Sequence, residues 1–143
     1  MKPPFNYNLI VKRLDPNSYH SVCMHKSGGL NIENVVIAGA ARTPMGGFQG
    51  VFDGIAAPVL GGAAIRAALA DAGVKTVDEV LMGCVLPAGQ GQAPARQAGF
   101  AGGLGEEVPA TTLNKMCGSG MKAAMMAFDQ IALGHADTMI AGG

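Results

Sequence analysis

The chain has 143 residues, a formal net charge of zero and nearly half of its residues apolar, which fits one modest globular domain or part of a larger one. No basic excess argues for nucleic acid, and no polybasic run argues for an anionic membrane surface. No stretch is long and apolar enough to span a bilayer, so neither nucleic acid nor membrane is expected as a partner.

Residues 1–33 differ from the rest. They hold Pro3, Pro4 and Pro16, both tyrosines, and His20 and His25, with no sustained period. The segment reads as an extension: a disordered tail, the product of an upstream start codon, or a targeting peptide. Within it Asn8-Leu9-Ile10-Val11 has the composition of a strand but stands isolated, with nothing in the sequence to pair it.

From residue 34 to residue 143 the pattern is regular, and this stretch forms the domain. Val35 to Ala41 is a short apolar run without alternation, the mark of a strand buried on both faces. Pro44 ends it, and a loop rich in glycine follows. Pro58 suits a first helical turn; Ile65, Ala68, Leu69 and Ala72 follow the helical period, and Gly73 is placed to terminate the helix. Glu79 to Leu86 predicts a second buried strand, Ala93 to Phe100 a short helix, and Ala110 to Asn114 a third strand. Ser119 to Leu133 is the clearest helix, with Met121, Ala124, Met125, Phe128 and Ala132 as its apolar stripe. Thr138 to Ala141 begins a fourth strand. Strands alternating with helices predict an α/β fold with a mainly parallel sheet, right-handed crossovers and helices on both faces. The arrangement looks truncated after its fourth strand.

Three scattered cysteines, Cys23, Cys84 and Cys117, show no CxxC spacing, so neither a zinc site nor a disulfide framework is expected, and a reducing compartment fits best. Chemistry concentrates at the turn before the last helix. Gly118-Ser119-Gly120-Met121-Lys122-Ala123 matches a dinucleotide-binding pattern, but the acidic residue that should follow the next strand is missing; Asp137 precedes that strand. A phosphate loop would need Gly-Lys-Ser/Thr, and a serine nucleophile elbow would need glycine where Cys117 stands.

Cys117 lies where a strand turns into a helix. The first N–H groups of that helix and its dipole favour a thiolate there and can hold a developing oxyanion, while Gly118 and Gly120 leave room for a bulky thioester. Two readings stay open on these features: a reactive cysteine, or a small cysteine packed at a buried turn. Cys84, inside an apolar strand, takes the second reading. His135 is the only histidine outside the extension, and it lies at the far end of the helix that Cys117 begins, roughly 20 Å away at about 1.5 Å per residue. It cannot serve Cys117 as a base within one chain.

At these residues the chain resembles the thiolase family. Asn114-Lys115-Met116-Cys117-Gly118-Ser119-Gly120-Met121-Lys122-Ala123 resembles the family's nucleophile motif. Gly91 to Ala98, Ala41 to Gly46 and Ala141-Gly142-Gly143 resemble three more of its motifs, in order. The resemblance implies the N-terminal half of a thiolase, with Cys117 as the catalytic nucleophile that takes an acyl group from acetyl-CoA or another acyl-CoA. It further implies a histidine and a second cysteine from a C-terminal half, and a homodimer or homotetramer for the full-length enzyme. Coenzyme A thioesters enter as substrates; no cofactor and no metal is expected, and the residues that hold coenzyme A are not identified. The motifs are most similar to the acetyl-CoA C-acetyltransferase branch, which carries out Claisen condensation to acetoacetyl-CoA or its reverse. The degradative 3-ketoacyl-CoA thiolases, or a non-catalytic interaction fragment, are the alternatives. The expected compartment is the cytoplasm, or the mitochondrial matrix if residues 1–33 are a transit peptide.

Overall fold

The computed structural model describes residues 8–13 and 35–143. The elements follow in the order β1 (Asn8–Arg13), β2 (Val35–Ala41), α1 (Ala57–Ala72), β3 (Glu79–Gly83), α2 (Pro94–Gly102), β4 (Ala110–Leu113), α3 (Ser119–Ala132) and β5 (Thr138–Gly142). The strands form one sheet in the order β2-β1-β5-β3-β4. β3 pairs parallel with β4 and β5, while β1 pairs antiparallel with β2 and β5. Hence β2, β3, β4 and β5 all run the same way, and β1 alone runs against them. The mainly parallel α/β sheet is present, as the alternation requires.

Strand side chains alternate between two cores. Ile10, Val80, Met82 and Ile140 face Ile65, Ala68 and Leu69 of α1 and Ala95 and Ala98 of α2. Val11, Leu81, Met139 and Ala141 face Ala123, Ala127 and Ile131 of α3. Helices therefore cover both faces, which is why the central strands read as unbroken apolar runs.

The many small residues bring the helices close. A Cβ added at Gly62 of α1 would stand 2.4 Å from Ala101 Cβ and 2.7 Å from the Ala101 carbonyl carbon, so α1 and α2 cross at a point where only glycine fits. Helix α1 ends at Gly73 in the left-handed region, φ 66°, with the Gly73 and Val74 N–H groups donating to Ala70 and Leu69 carbonyls.

Three sequence expectations are corrected. Asn8–Arg13 is not isolated: it is an interior strand, with Ile10 fully buried and Val11 nearly so. A short apolar run finds its partners only in three dimensions, and the partners here, β2 and β5, are far away in sequence. The three readings of the extension, and Cys23, His20 and His25, otherwise fall on residues 1–7 and 14–34, outside the described residues. Val35–Ala41 is not buried on both faces: it lies at the edge of the sheet, and Ile37 is 61% exposed. The apolar stripe of the last helix is misplaced as well. The face against the sheet is Ser119, Ala123, Ala127 and Ile131, at four-residue spacing, whereas Met121, Met125 and Phe128 are exposed. Hydrophobicity ranks methionine and phenylalanine above alanine, but the close approach of α3 to the sheet selects the small side chains.

Candidate active site

Strand β4 delivers the chain to the C-terminal edge of the parallel strands, where α/β folds place their sites. Five residues, Asn114 to Gly118, make the turn into α3. Met116 sits in the left-handed region at φ 48°, an uncommon conformation for a residue with a long side chain. Its neighbours hold it there. Asn114 Oδ1 accepts from the Met116 N–H at 2.9 Å, and Asn114 Nδ2 donates to the Val85 carbonyl at 3.1 Å, tying this turn to the loop after β3. Ser119 Oγ accepts from the Lys115 N–H at 2.9 Å and donates to the Met116 carbonyl at 2.6 Å. Ser119 is itself buried, pressed against β3 at Gly83.

The consequence is that Cys117 is exposed. Of the two readings open at the sequence level, a packed, buried cysteine is excluded. The Gly118 and Ser119 N–H groups are used within the turn, donating to Lys115 and Met116 carbonyls, and the Lys122 N–H donates to the Gly118 carbonyl. The N–H groups of Gly120 and Met121, in the first turn of α3, have no acceptor among the described residues. Such groups are the usual material of an oxyanion site. Gly118, the residue before the helix, presents no side chain beside the sulfur.

Cys84 is also corrected: it lies one residue beyond β3 and is partly exposed, its N–H donating to the Leu113 carbonyl at 2.9 Å. Cys84 and Cys117 thus leave the same edge of neighbouring strands. His135 lies beyond the opposite end of α3, its N–H donating to the Gln130 carbonyl. It is the only histidine among the described residues, and the helix between it and Cys117 is roughly 20 Å long. Asp137, which the dinucleotide pattern would need near the glycines, is at that far end too, paired with Arg13 Nε at 3.2 Å. Among the described residues no group of three or more His, Cys, Asp or Glu is placed to hold a metal ion.

Sequence reasoning missed the supporting residues. Asn114 and Ser119 were legible as turn-forming types flanking the cysteine, but their partners were not. The run Gly91 to Ala98 is scaffolding. Gln97 Nε2 donates to the Gln90 and Gln92 carbonyls at 2.8 and 2.7 Å. Arg96 donates to the Val108 and Glu106 carbonyls at 3.3 and 2.9 Å, and the Ala95 N–H donates to Thr112 Oγ1 at 3.0 Å. The run thereby fixes β4, the strand that leads into Cys117.

Residues 35–143 match the family model described as thiolase, N-terminal domain. The chain is 52% identical over 114 residues to the mitochondrial acetyl-CoA acetyltransferase B of Xenopus laevis, covering 78% of this chain and 27% of that protein. It is 54% identical over 112 residues to the acetyl-CoA acetyltransferase of Cupriavidus necator, covering 77% of this chain and 28% of that protein. With acetyl-CoA acetyltransferase 2 of Arabidopsis thaliana the identity is 50% over 121 residues, 83% of this chain and 30% of that one. The match spans less than a third of the length of each of these relatives.

Proposed function

The chain belongs to the thiolase family through its N-terminal domain, and from that premise we propose that Cys117 is the acyl-accepting nucleophile of an acetyl-CoA C-acetyltransferase. The observation that carries the proposal is the exposed sulfur at the N-terminus of α3, presented by a held left-handed residue and followed by Gly120 and Met121 N–H groups that donate to no acceptor among the described residues.

The Cys117 thiolate attacks the carbonyl carbon of an acetyl thioester. The C=O electron pair moves to oxygen, and the Gly120 and Met121 N–H groups at the start of α3 are the donors that this reading offers to the oxyanion. Collapse breaks the bond to the coenzyme A sulfur, which leaves and takes up a proton, and acetyl-Cys117 remains. In the condensing direction a second acetyl-CoA, deprotonated at its methyl group, attacks this acyl carbon. The new carbon–carbon bond gives acetoacetyl-CoA and releases Cys117. The thiol proton and the methyl proton each need an acceptor, and His135 reaches neither. The family resemblance assigns these steps to a histidine and a second cysteine from a C-terminal half, in an enzyme that acts as a homodimer or homotetramer.

Intact-protein mass spectrometry after incubation with acetyl-CoA tests the reading. The expected result is slow, stoichiometric addition of one acetyl group, mapped to Cys117, without turnover to acetoacetyl-CoA. No acetyl group on Cys117, or an adduct that persists in Cys117→Ala, refutes it.

A further inference from the structure

Lys115 is folded back along the turn that presents Cys117. Its N–H donates to Ser119 Oγ at 2.9 Å, and its carbonyl accepts from the Gly118 N–H at 3.0 Å, so its backbone is held on both sides. Lys115 and Cys117 also form an isolated β-bridge across the left-handed Met116. This path sends the Lys115 stem along the residue next to the cysteine. A Cβ built on Gly118 would lie 3.9 Å from Lys115 Cγ and 4.0 Å from Lys115 Cδ. Beyond Cδ the side chain has two more bonds of about 1.5 Å each, both carried on rotatable torsions.

Nothing ties the end of that side chain down. Among the described residues no hydrogen bond or ion pair holds the Lys115 ammonium. Lys115 and Cys117 are both exposed, and Gly118 puts no side chain beside them. The other described lysines are placed differently. Lys12 pairs with Thr138 at the start of β5, and Lys75 precedes β3, so both lie at the far edge of the sheet. Lys122 lies within α3 and is partly buried. An acyl group on Cys117 thus has one amine for a close neighbour on its own turn.

We propose that Lys115 is an acceptor for the acetyl group of acetyl-Cys117, so that the chain modifies its own nucleophile turn by sulfur-to-nitrogen acyl transfer. The inference rests on the acyl-cysteine reading of Cys117. Lys115 Nζ, its ammonium proton given up to water, attacks the thioester carbonyl carbon. The new C–N bond forms and the C–S bond breaks. The sulfur leaves with the bonding pair and takes up the proton that the nitrogen sheds. The products are an N-acetyl-lysine at 115 and a free Cys117 thiol, and no oxidant or further co-reactant takes part. Two groups held in one turn meet at an effective concentration far above that of a remote lysine. The amide outlasts the thioester and removes a positive charge from beside the sulfur.

A chase on the full chain tests this. The protein is loaded with acetyl-CoA, separated from it by gel filtration, and followed by intact mass and peptide mapping. Neutral hydroxylamine, which cleaves a thioester and spares an amide, distinguishes the two attachments. The acetyl group is expected to stay on the chain and become resistant to hydroxylamine, with amide at Lys115 at least about tenfold above Lys12 and Lys75. In Cys117→Ala, treated alike, acetyl-Lys115 is expected to fall to the level of those two lysines. In Lys115→Arg, acetyl-Cys117 is expected to leave only as acetate. Loss of the acetyl group from the parent chain as acetate, or amide concentrated at Lys122, overturns the transfer and leaves Cys117 as the acyl acceptor. Equal acetylation of Lys115 in Cys117→Ala overturns the transfer as well. The converse failure is separate: if acetyl-CoA leaves Cys117 unmodified, the nucleophile reading falls, and loading the thiol with phenyl thioacetate lets the same chase decide the transfer.

Discussion

Gly83→Ala places one methyl group at the junction of β3 and α3. The added Cβ would lie 2.5 Å from Ser119 Cβ, 2.9 Å from the Ser119 carbonyl carbon and 3.0 Å from the Gly120 nitrogen, against 3.4–4 Å for ordinary contact. Two of these three atoms are backbone, so no rotamer change relieves the clash. Helix α3 must retreat by about 1 Å, and overpacking of this kind costs about 2–3 kcal/mol. Gly99→Ala is the control. Its Cβ would meet only Leu104 Cδ1 and Val80 Cγ2, both at 3.8 Å, and it lies inside α2. There alanine should gain about 0.5–1 kcal/mol through helix propensity. Urea unfolding followed by far-UV circular dichroism separates the two, with the Gly83 variant's midpoint falling and the Gly99 variant's rising. A Gly83→Ala chain as stable as the parent refutes the claim that close approach, rather than backbone freedom, fixes glycine there.

Ser119→Ala removes the acceptor of the Lys115 N–H and the donor to the Met116 carbonyl; it should cost about 1–3 kcal/mol and alter the rate of Cys117 alkylation by iodoacetamide relative to Cys84. Arg96→Ala removes two hydrogen bonds to the 106–108 segment and a guanidinium stacked 4.8 Å from the Phe100 ring centroid, for a loss of about 1–2 kcal/mol by urea unfolding. Asp78→Ala leaves the Asp137 and Thr138 N–H groups without the carboxylate they share, at 2.7 and 2.9 Å, and should lower stability by about 1–2 kcal/mol in the same assay. Cys117→Ser should change stability by less than about 0.5 kcal/mol, because the side chain is exposed, while abolishing acetyl transfer to residue 117.

The elements from residue 35 onward were legible because local signals agree there: proline at helix starts, Gly73 at a helix end, and apolar runs where the sheet is covered on both faces. Each inferred helix and strand lies within a few residues of its observed place. What failed depended on partners distant in sequence. Asn8–Arg13 carries a strand's composition, but its pairing with Ala41 at one wall and Ala141 at the other cannot be read from six residues. The inner face of α3 was misjudged because periodicity identifies an apolar helix, while the distance to the sheet decides which apolar residues fit. At the site, the residue types and the strand-to-helix position of Cys117 were legible. The left-handed Met116 and the double use of Ser119 Oγ were not, since both rest on contacts that Asn114 and Ser119 make only in the folded turn.

Positioning and activation are separate properties in this molecule. The groups that place the Cys117 sulfur do not act on it: Asn114 and Ser119 hold the neighbouring backbone, Gly83 sets the depth of α3, and the Arg96 bonds brace the strand that leads in. All of them lie within the described residues. The groups that would move protons are different in kind, since a base must reach the sulfur itself, and His135 stands roughly 20 Å from it. A thiol placed at an exposed helix start can meet a thioester and be acylated once at a low rate. Repeated turnover requires a proton acceptor at hydrogen-bonding distance, and nothing in the turn from Asn114 to Gly120 has that chemistry. On the function proposed for Cys117, the elbow around it is the fixed half of a catalytic arrangement, with its precision set by backbone contacts and its rate set by groups that reach the sulfur from other elements.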